Sequence, residues 1–307
     1  YLHVNFFKLP AFSKVMKQEL LNMSPKKSVS LAFNLLDLKK MDSLSTSNTF
    51  PQTFIFNDHL DFIENNIQLA KQNLNKAYEK LDISEKEFVK NNLNSLKKAL
   101  EKSFIISDDE LISNNNLNKL IEIGKKINTN YLMRSSYYMS KLSNRDWLDI
   151  FEETIKRENF EKTTIKEVSG KILFKKYLEE GLLIIGSKEN NTYIKNASFI
   201  IDIGGNDTYK SNFKEQNSLI SFLIDMNGND FYTSTKDFSQ AGSLFGYSLL
   251  IDTKGNDSYR STSFSQGSAI MGVSQLIDFE GNDSYVSQDF SQGIGFFGVG
   301  ILVDTAG

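Results

Sequence analysis

The apolar positions of this chain change their period once, and the change divides it. Leu60, Ile63, Ile67, Ala70, Leu74, Ala77 and Leu81 step by three and four, which predicts an amphipathic helix with Asn57 or Asp58 as its cap. Ser84-Glu85-Lys86-Glu87 reads as a capping box ahead of a second stripe, Val89, Leu93, Leu96 and Leu100. The short turn between the two stripes predicts an antiparallel helical hairpin. Leu117 to Leu142 and Arg145 to Arg157 predict two more helices, the latter capped by Ser143, with Trp147 as a half-buried anchor on an acidic face. Ala11 to Leu21 and Ser28 to Leu38 read as short helices split by Pro25. From Thr163 the pattern turns to strand, as in Thr164-Ile165-Lys166-Glu167-Val168.

Beyond Ala197 the apolar runs are short and recur. Phe222-Leu223-Ile224, Leu249-Leu250-Ile251, Leu276-Ile277 and Ile301-Leu302-Val303 are each closed by an Asp. Two free residues, Gly-Asn-Asp, one free residue and Tyr then follow in the full copies. The leading Asp falls at Asp202, Asp225, Asp252, Asp278 and Asp304, in steps of 23, 27, 26 and 26. The tyrosines are Tyr209, Tyr232, Tyr259 and Tyr285, and a Phe and a Gln follow at Phe213/Gln216, Phe238/Gln240, Phe264/Gln266 and Phe290/Gln292. A fixed period of this size means a solenoid, a propeller or an array. A propeller blade needs around 40 residues. About 26 residues at roughly 3.3 Å each close a coil of three short strands and three turns, and successive coils stack at about 4.8 Å, like residue over like. The fold class expected is therefore α+β multidomain: a helical, bundle-like domain over residues 1–162, a transition over 163–196, and a β-solenoid over 197–307. Gly181 to Tyr193 is a degenerate copy and is expected to cap the solenoid at its N-terminal end.

Charge and glycine support the same boundary. From Ala197 onward there are five basic and 13 acidic side chains, a net of −8, against +5 for the rest. Of the 18 glycines, 14 lie in this half. The total of −3 gives no reason to expect a nucleic-acid partner. No apolar run reaches membrane-spanning length, and the absence of cysteine excludes disulfides and thiolate metal sites.

The repeat carries most of the candidate chemistry. Asp202, Asp207, Asp225, Asp230, Asp252, Asp257, Asp278 and Asp283 supply two carboxylates per copy, with an Asn and turn carbonyls, and stacking gathers them into two columns. Ca²⁺ takes six to eight oxygen ligands of this kind. The alternative is structural: each Asp accepts backbone N–H bonds in an Asx-turn, and each Asn stacks in a ladder. Carboxylates that break the pattern, Glu215, Asp237, Glu280 and Asp289, are the only candidates for a unique catalytic site of the glycoside-hydrolysing kind. Gly293, Gly295 and Gly298 match a dinucleotide loop, but the same phase recurs in earlier copies as Gly267, Ala269 and Gly272, so they belong to the repeat. His3 and His59 have no metal-ligand spacing. The Tyr and Phe series read as internal aromatic ladders rather than as sugar-stacking platforms.

From Val168 onward the chain resembles a group of bacterial proteins with repeated Gly-Asn/Asp-Asp-x-Tyr and Gln-Gly-x-Gly motifs between Leu-x-Asp strands. In that group a leader similar to VSGKILFKKYLEEGLLIIGSKENNTYI precedes the first full copy. Gly204-Gly205-Asn206-Asp207 is also similar to RTX calcium repeats, although those recur every nine residues. The first resemblance implies a bacterial protein of the periplasm or exterior and supplies no activity. The function expected is a non-enzymatic structural or binding module, a scaffold or adhesion-type protein acting through protein–protein or surface attachment. A carbohydrate-active β-helix enzyme is the alternative. Tyr1 in place of Met fits a removed secretion signal or a trimmed boundary. Gly307 falls in the phase of Gly281, so further coils or a cap are expected beyond it, with self-association through an uncovered last coil.

Overall fold

The computed structural model describes residues 50–103, 115–194, 197–210 and 218–306. The two short helices expected before Ser43, and Phe213, Glu215 and Gln216, lie outside them. Among the described residues six α-helices come first: α1 (Phe56–Ala77), α2 (Ile83–Asn91), α3 (Leu93–Ser103), α4 (Asn115–Lys125), α5 (Thr129–Ser140) and α6 (Arg145–Arg157). The stripe Leu60 to Leu81 is buried throughout. The helix boundaries depart from expectation for local reasons. Helix α1 starts after Ile55, which offers no side-chain cap, and Asp58 instead accepts the Thr53 hydroxyl at 2.6 Å. The capping box is Asp82 with Glu85, two residues earlier than expected. The second stripe breaks into α2 and α3 at Asn92, whose side-chain amide donates to the Phe88 carbonyl at 2.8 Å. The span Leu117 to Leu142 breaks because Asn128 caps a new helix, α5. Asn144, not Ser143, caps α6. The main partner of α1 is α5 rather than its sequence neighbour.

Strands β1 (Thr163–Ile165) and β2 (Val168–Leu178) lead into the solenoid. Each coil has two strands, not three. The long wall stacks β3 (Gly181–Gly186), β5 (Phe199–Asp202), β7 (Ile220–Asp225), β9 (Ser243–Asp252), β11 (Ala269–Asp278) and β14 (Val299–Asp304). The short wall stacks β4 (Thr192–Tyr193), β6 (Thr208–Tyr209), β8 (Phe231–Thr233), β10 (Ser258–Arg260) and β12 (Ser284–Val286), while β13 (Gly295–Phe296) continues from β11. Pairing is parallel and in register, with Asp202 beside Asp225, Asp225 beside Asp252 and Asp252 beside Asp278. Gly181 to Tyr193 is thus a working coil. The closing element is β2, which runs antiparallel to both β3 and β4 and bridges the two walls.

The expected third strand is replaced by a corner of left-handed residues. Phe238, Gln240 and Ala241 have φ of 58°, 48° and 57°, and Phe264, Gln266, Phe290 and Gln292 repeat this between 52° and 59°. Such conformations cost non-glycine residues about 1–3 kcal/mol each and persist only where neighbours hold them. Here ladders do so. The Gln240 amide donates to the carbonyls of Tyr232 and Arg260 at 3.0 and 2.8 Å. Gln266 repeats the pattern on Tyr259 and Val286 and also donates to the Gln240 Oε1. Phe238, Phe264 and Phe290 stack at 5.2 and 5.6 Å.

The long strands are buried on both faces. Ile184, Ile200, Leu223, Leu250 and Leu276 point into the coil, while Leu183, Phe199, Phe222, Leu249 and Ile251 point outward into one core shared with the helices. Tyr78 pins this docking: its hydroxyl donates to the Met271 carbonyl and accepts the Gly246 N–H, both at 2.7 Å. Trp147 is not half-buried. It lies wholly inside, with its indole N–H donating to His59 Nδ1 at 3.1 Å, which makes His59 a core residue.

Candidate functional site

The turns from the long wall to the short wall carry the aspartates. In each, the chain must reverse within the Asp-x-x-Gly-Asn-Asp segment while the next coil presses on it. A Cβ on Gly255 would fall onto the Gly228 carbonyl oxygen, and one on Gly281 onto that of Gly255, so only glycine fits. The leading Asp nucleates the turn. Oδ1 of Asp202, Asp225 and Asp252 accepts the N–H two residues on, from Gly204, Asn227 and Lys254, at 2.9, 2.9 and 3.1 Å. Their Oδ2 atoms accept a tyrosine hydroxyl from the preceding coil: Tyr193 to Asp202, Tyr209 to Asp225, and Tyr232 to Asp252 at 2.6 Å. Tyr259 does the same for Asp278 at 2.7 Å. The tyrosine rings stack at 4.5–4.8 Å, so each hydroxyl is aimed by its neighbours.

The second Asp of each turn bonds between coils. Oδ1 of Asp207, Asp230, Asp257 and Asp283 accepts the N–H of Asn191, Asp207, Asp230 and Asp257 in turn, at 2.5, 2.5, 2.6 and 2.7 Å. The exposed asparagines run a parallel ladder, with the N–H of Asn206, Asn229, Asn256 and Asn282 donating to the side-chain oxygen of Asn190, Asn206, Asn229 and Asn256. The Asx-turn and Asn-ladder geometry is thus present. It does not use every oxygen: Oδ2 of Asp207, Asp230, Asp257 and Asp283 is buried without a hydrogen-bond partner.

Carboxylate oxygens of Asp202, Asp207 and Asp225 lie within 4.8 Å of one another, and the same holds for Asp225, Asp230 and Asp252, and for Asp252, Asp257 and Asp278. All seven residues are at most 3% exposed. Two full negative charges about 5 Å apart repel by roughly 3 kcal/mol even at an effective dielectric near 20. The groups acting on these carboxyls are chiefly other carboxyls, tyrosine hydroxyls and backbone N–H groups. Burial, with neighbouring carboxylates adding to it, therefore pushes the acids up: Asp202, Asp225 and Asp252 rise well above the usual range, Asp207 reaches about 8 and Asp278 about 7. Asp230 and Asp257 shift the same way, burial again being the first cause. The column is thus neutralised by something positive, a proton or a cation.

All eight sequence-predicted aspartates lie where stacking was expected to bring them. Asp283 is less enclosed, and Asp304 is exposed in the last described coil. Among the described residues the pattern-breaking acids Asp237, Glu280 and Asp289 do not converge. Glu280 pairs with Arg145 at 2.9 Å and Asp289 with Lys97 at 2.5 Å, both tying helices to the solenoid, while Asp237 accepts the Ser263 N–H at 3.1 Å. Sequence reasoning missed the hydroxyl role of the tyrosines. The signal was available in the constant offset of Tyr from Asp, which fixes one phenol per carboxylate. The Gln ladder had no such signal, because it depends on left-handed corners that propensity does not predict.

Among the described residues no helix is long and apolar enough to cross a membrane. Comparison with known proteins finds no match to a family model, a curated protein or a solved structure.

Proposed function

We propose that this chain is a non-enzymatic structural or binding module of the bacterial envelope or exterior, working by attachment of its exposed short wall to a protein or surface. The observation that carries this reading is the difference in cover between the walls. Helices pack over the outer face of the long wall, whereas the short wall presents Phe231, Arg260, Ser284 and Val286 outward from parallel, in-register strands. An extended, uncovered solenoid wall suits lateral attachment. A catalytic cleft needs convergent groups, and Glu280 and Asp289 are instead engaged with the helices.

Retention of the chain on immobilised bacterial envelope fractions tests this. Binding that falls at least tenfold in Phe231→Glu and Arg260→Glu, with no sugar released from envelope polysaccharides, supports it. Polysaccharide cleavage that is lost in Asp237→Asn would replace it with the glycan-active alternative.

A further inference from the structure

We infer that the interior of the solenoid is a cation store that takes up Ca²⁺, one ion in each of three stacked carboxylate triplets: Asp202/Asp207/Asp225, Asp225/Asp230/Asp252 and Asp252/Asp257/Asp278. An acidic cluster alone would not carry this. The second observation is an orphaned oxygen on the second Asp of each triplet. Asp207, Asp230 and Asp257 are 97–98% buried, their Oδ1 atoms are held by a backbone N–H, and their Oδ2 atoms have no donor. Natural proteins rarely leave buried polar atoms unmatched, and three in identical positions call for a common partner. In each triplet one carboxylate oxygen of this aspartate lies within 4.8 Å of carboxylate oxygens from two successive coils.

The chemistry of the donors selects the ion. Histidine and cysteine are absent from the triplets, so the ligands are hard oxygens. Oxygens that all lie within 4.8 Å of one another can converge on a single ion, and Ca²⁺ accepts such carboxylate sets in flexible geometry. Magnesium keeps several waters in strict octahedral order, for which residues at most 3% exposed leave little room. The charge count agrees. The triplets share Asp225 and Asp252 and so contain seven carboxylates, and three divalent ions reduce seven negative charges to one. That remainder is spread over the tyrosine O–H and backbone N–H donors that already point at the leading aspartates. Each ion also links two coils, so binding is coupled to stacking.

Because the sites are closed, ions enter as the chain folds, and the test uses the full chain refolded after chelator treatment, with and without Ca²⁺. Bound calcium measured by atomic emission should approach three ions per folded chain, and the calcium-loaded chain should melt higher. Asp230→Asn, which keeps the Oδ1 acceptor but removes the one carboxylate charge that belongs to the middle triplet alone, should lower the count to two; Asp237→Asn, outside the columns, should leave three. Should Asp230→Asn fail to fold, the wild-type chain refolded with Tb³⁺ gives an independent reading. The tyrosine ladder touching the triplets should sensitise terbium emission that saturates near three equivalents and that Ca²⁺ displaces. A chain that refolds fully, binds no stoichiometric calcium, melts identically with and without it and shows no tyrosine-sensitised terbium emission would overturn the proposal and leave protons as the neutralising species.

Discussion

The two walls of the solenoid are built from the same coils, yet different forces hold them. The long wall is a sheet of Ile, Leu and Phe buried on both faces, between the coil interior and the helices. Such strands read as continuous apolar runs, and burial of side chains such as Phe222 and Ile224 supplies their stability. The short wall has strands of two or three residues, open to solvent on one face. It is held from inside by tyrosine rings, aspartate carboxyls and a ladder of glutamines. A repeat can thus devote one side to a partner domain and keep the other free, provided polar columns replace the apolar cover.

The largest effect should come from the turn on which both walls depend. Gly255 has φ 155°, and a side chain there would strike the Gly228 carbonyl. Gly255→Val should cost about 4–5 kcal/mol or more, a range reserved for such steric failures. Chemical denaturation followed by far-UV circular dichroism checks this. A variant as stable as the parent would show that the coils can part at this turn without consequence.

A matched pair of substitutions then separates the walls. Phe222 lies on the covered wall and is fully buried, whereas Phe231 lies on the open wall and is 38% exposed. Phe222→Ala should cost about 3–5 kcal/mol. Phe231→Ala should stay within about 0.5 kcal/mol. Equal losses in thermal unfolding would dissolve the distinction between a wall held by apolar cover and one held from within.

How far the sequence reveals these two walls depends on which interactions repeat at short range. The period, the in-register Asp and Tyr columns and the helical stripe from Leu60 are legible because a buried position must recur at the spacing of its element. The cover over the long wall was not legible. Phe222 and Leu249 look like ordinary solenoid residues until α1 is seen to pack on β7 and α5 on β9. Nor was the corner at Phe238 and Gln240, since its left-handed backbone is stabilised by the next coil rather than by local preference. Trp147 was misread for the same reason: its neighbours in sequence are acidic, but its neighbours in space are His59, Phe62 and Phe151.

The polar columns should also respond to pH in a way the apolar wall does not. With metal removed, Asp207 and Asp278 titrate in the folded chain at about 8 and about 7, above their unfolded values near 4. The folded state then binds more protons than the unfolded state between those limits, so stability falls as pH rises. The contribution is complete below about pH 4 and lost on passing through 7 to 8. Melting of the metal-free chain should therefore decline steadily from pH 5 to pH 9, and saturating Ca²⁺ should flatten the profile. A metal-free chain that grows more stable over that interval would show that the column enters the fold ionised.

A small effect should also come from the ion pairs that tie the helices to the solenoid. Arg145 meets Glu280 at 2.9 Å with both side chains about half exposed, and its guanidinium lies 4.7 Å from the Phe279 ring centre. Water screens such a pair, and ordering two long side chains offsets much of the attraction, so Arg145→Gln should cost about 0.2–1 kcal/mol and less at high salt. The docking itself rests on the apolar face and on Tyr78, whose hydroxyl serves one donor and one acceptor in a fully buried slot. Urea unfolding of Arg145→Gln at low and high salt, monitored through Trp147 for the helices and far-UV circular dichroism for the solenoid, should give coincident transitions with only a slightly lowered midpoint. Separation of the two signals in this variant would mean that charge at the rim, rather than the shared apolar core, makes the helices and the long wall unfold as one unit.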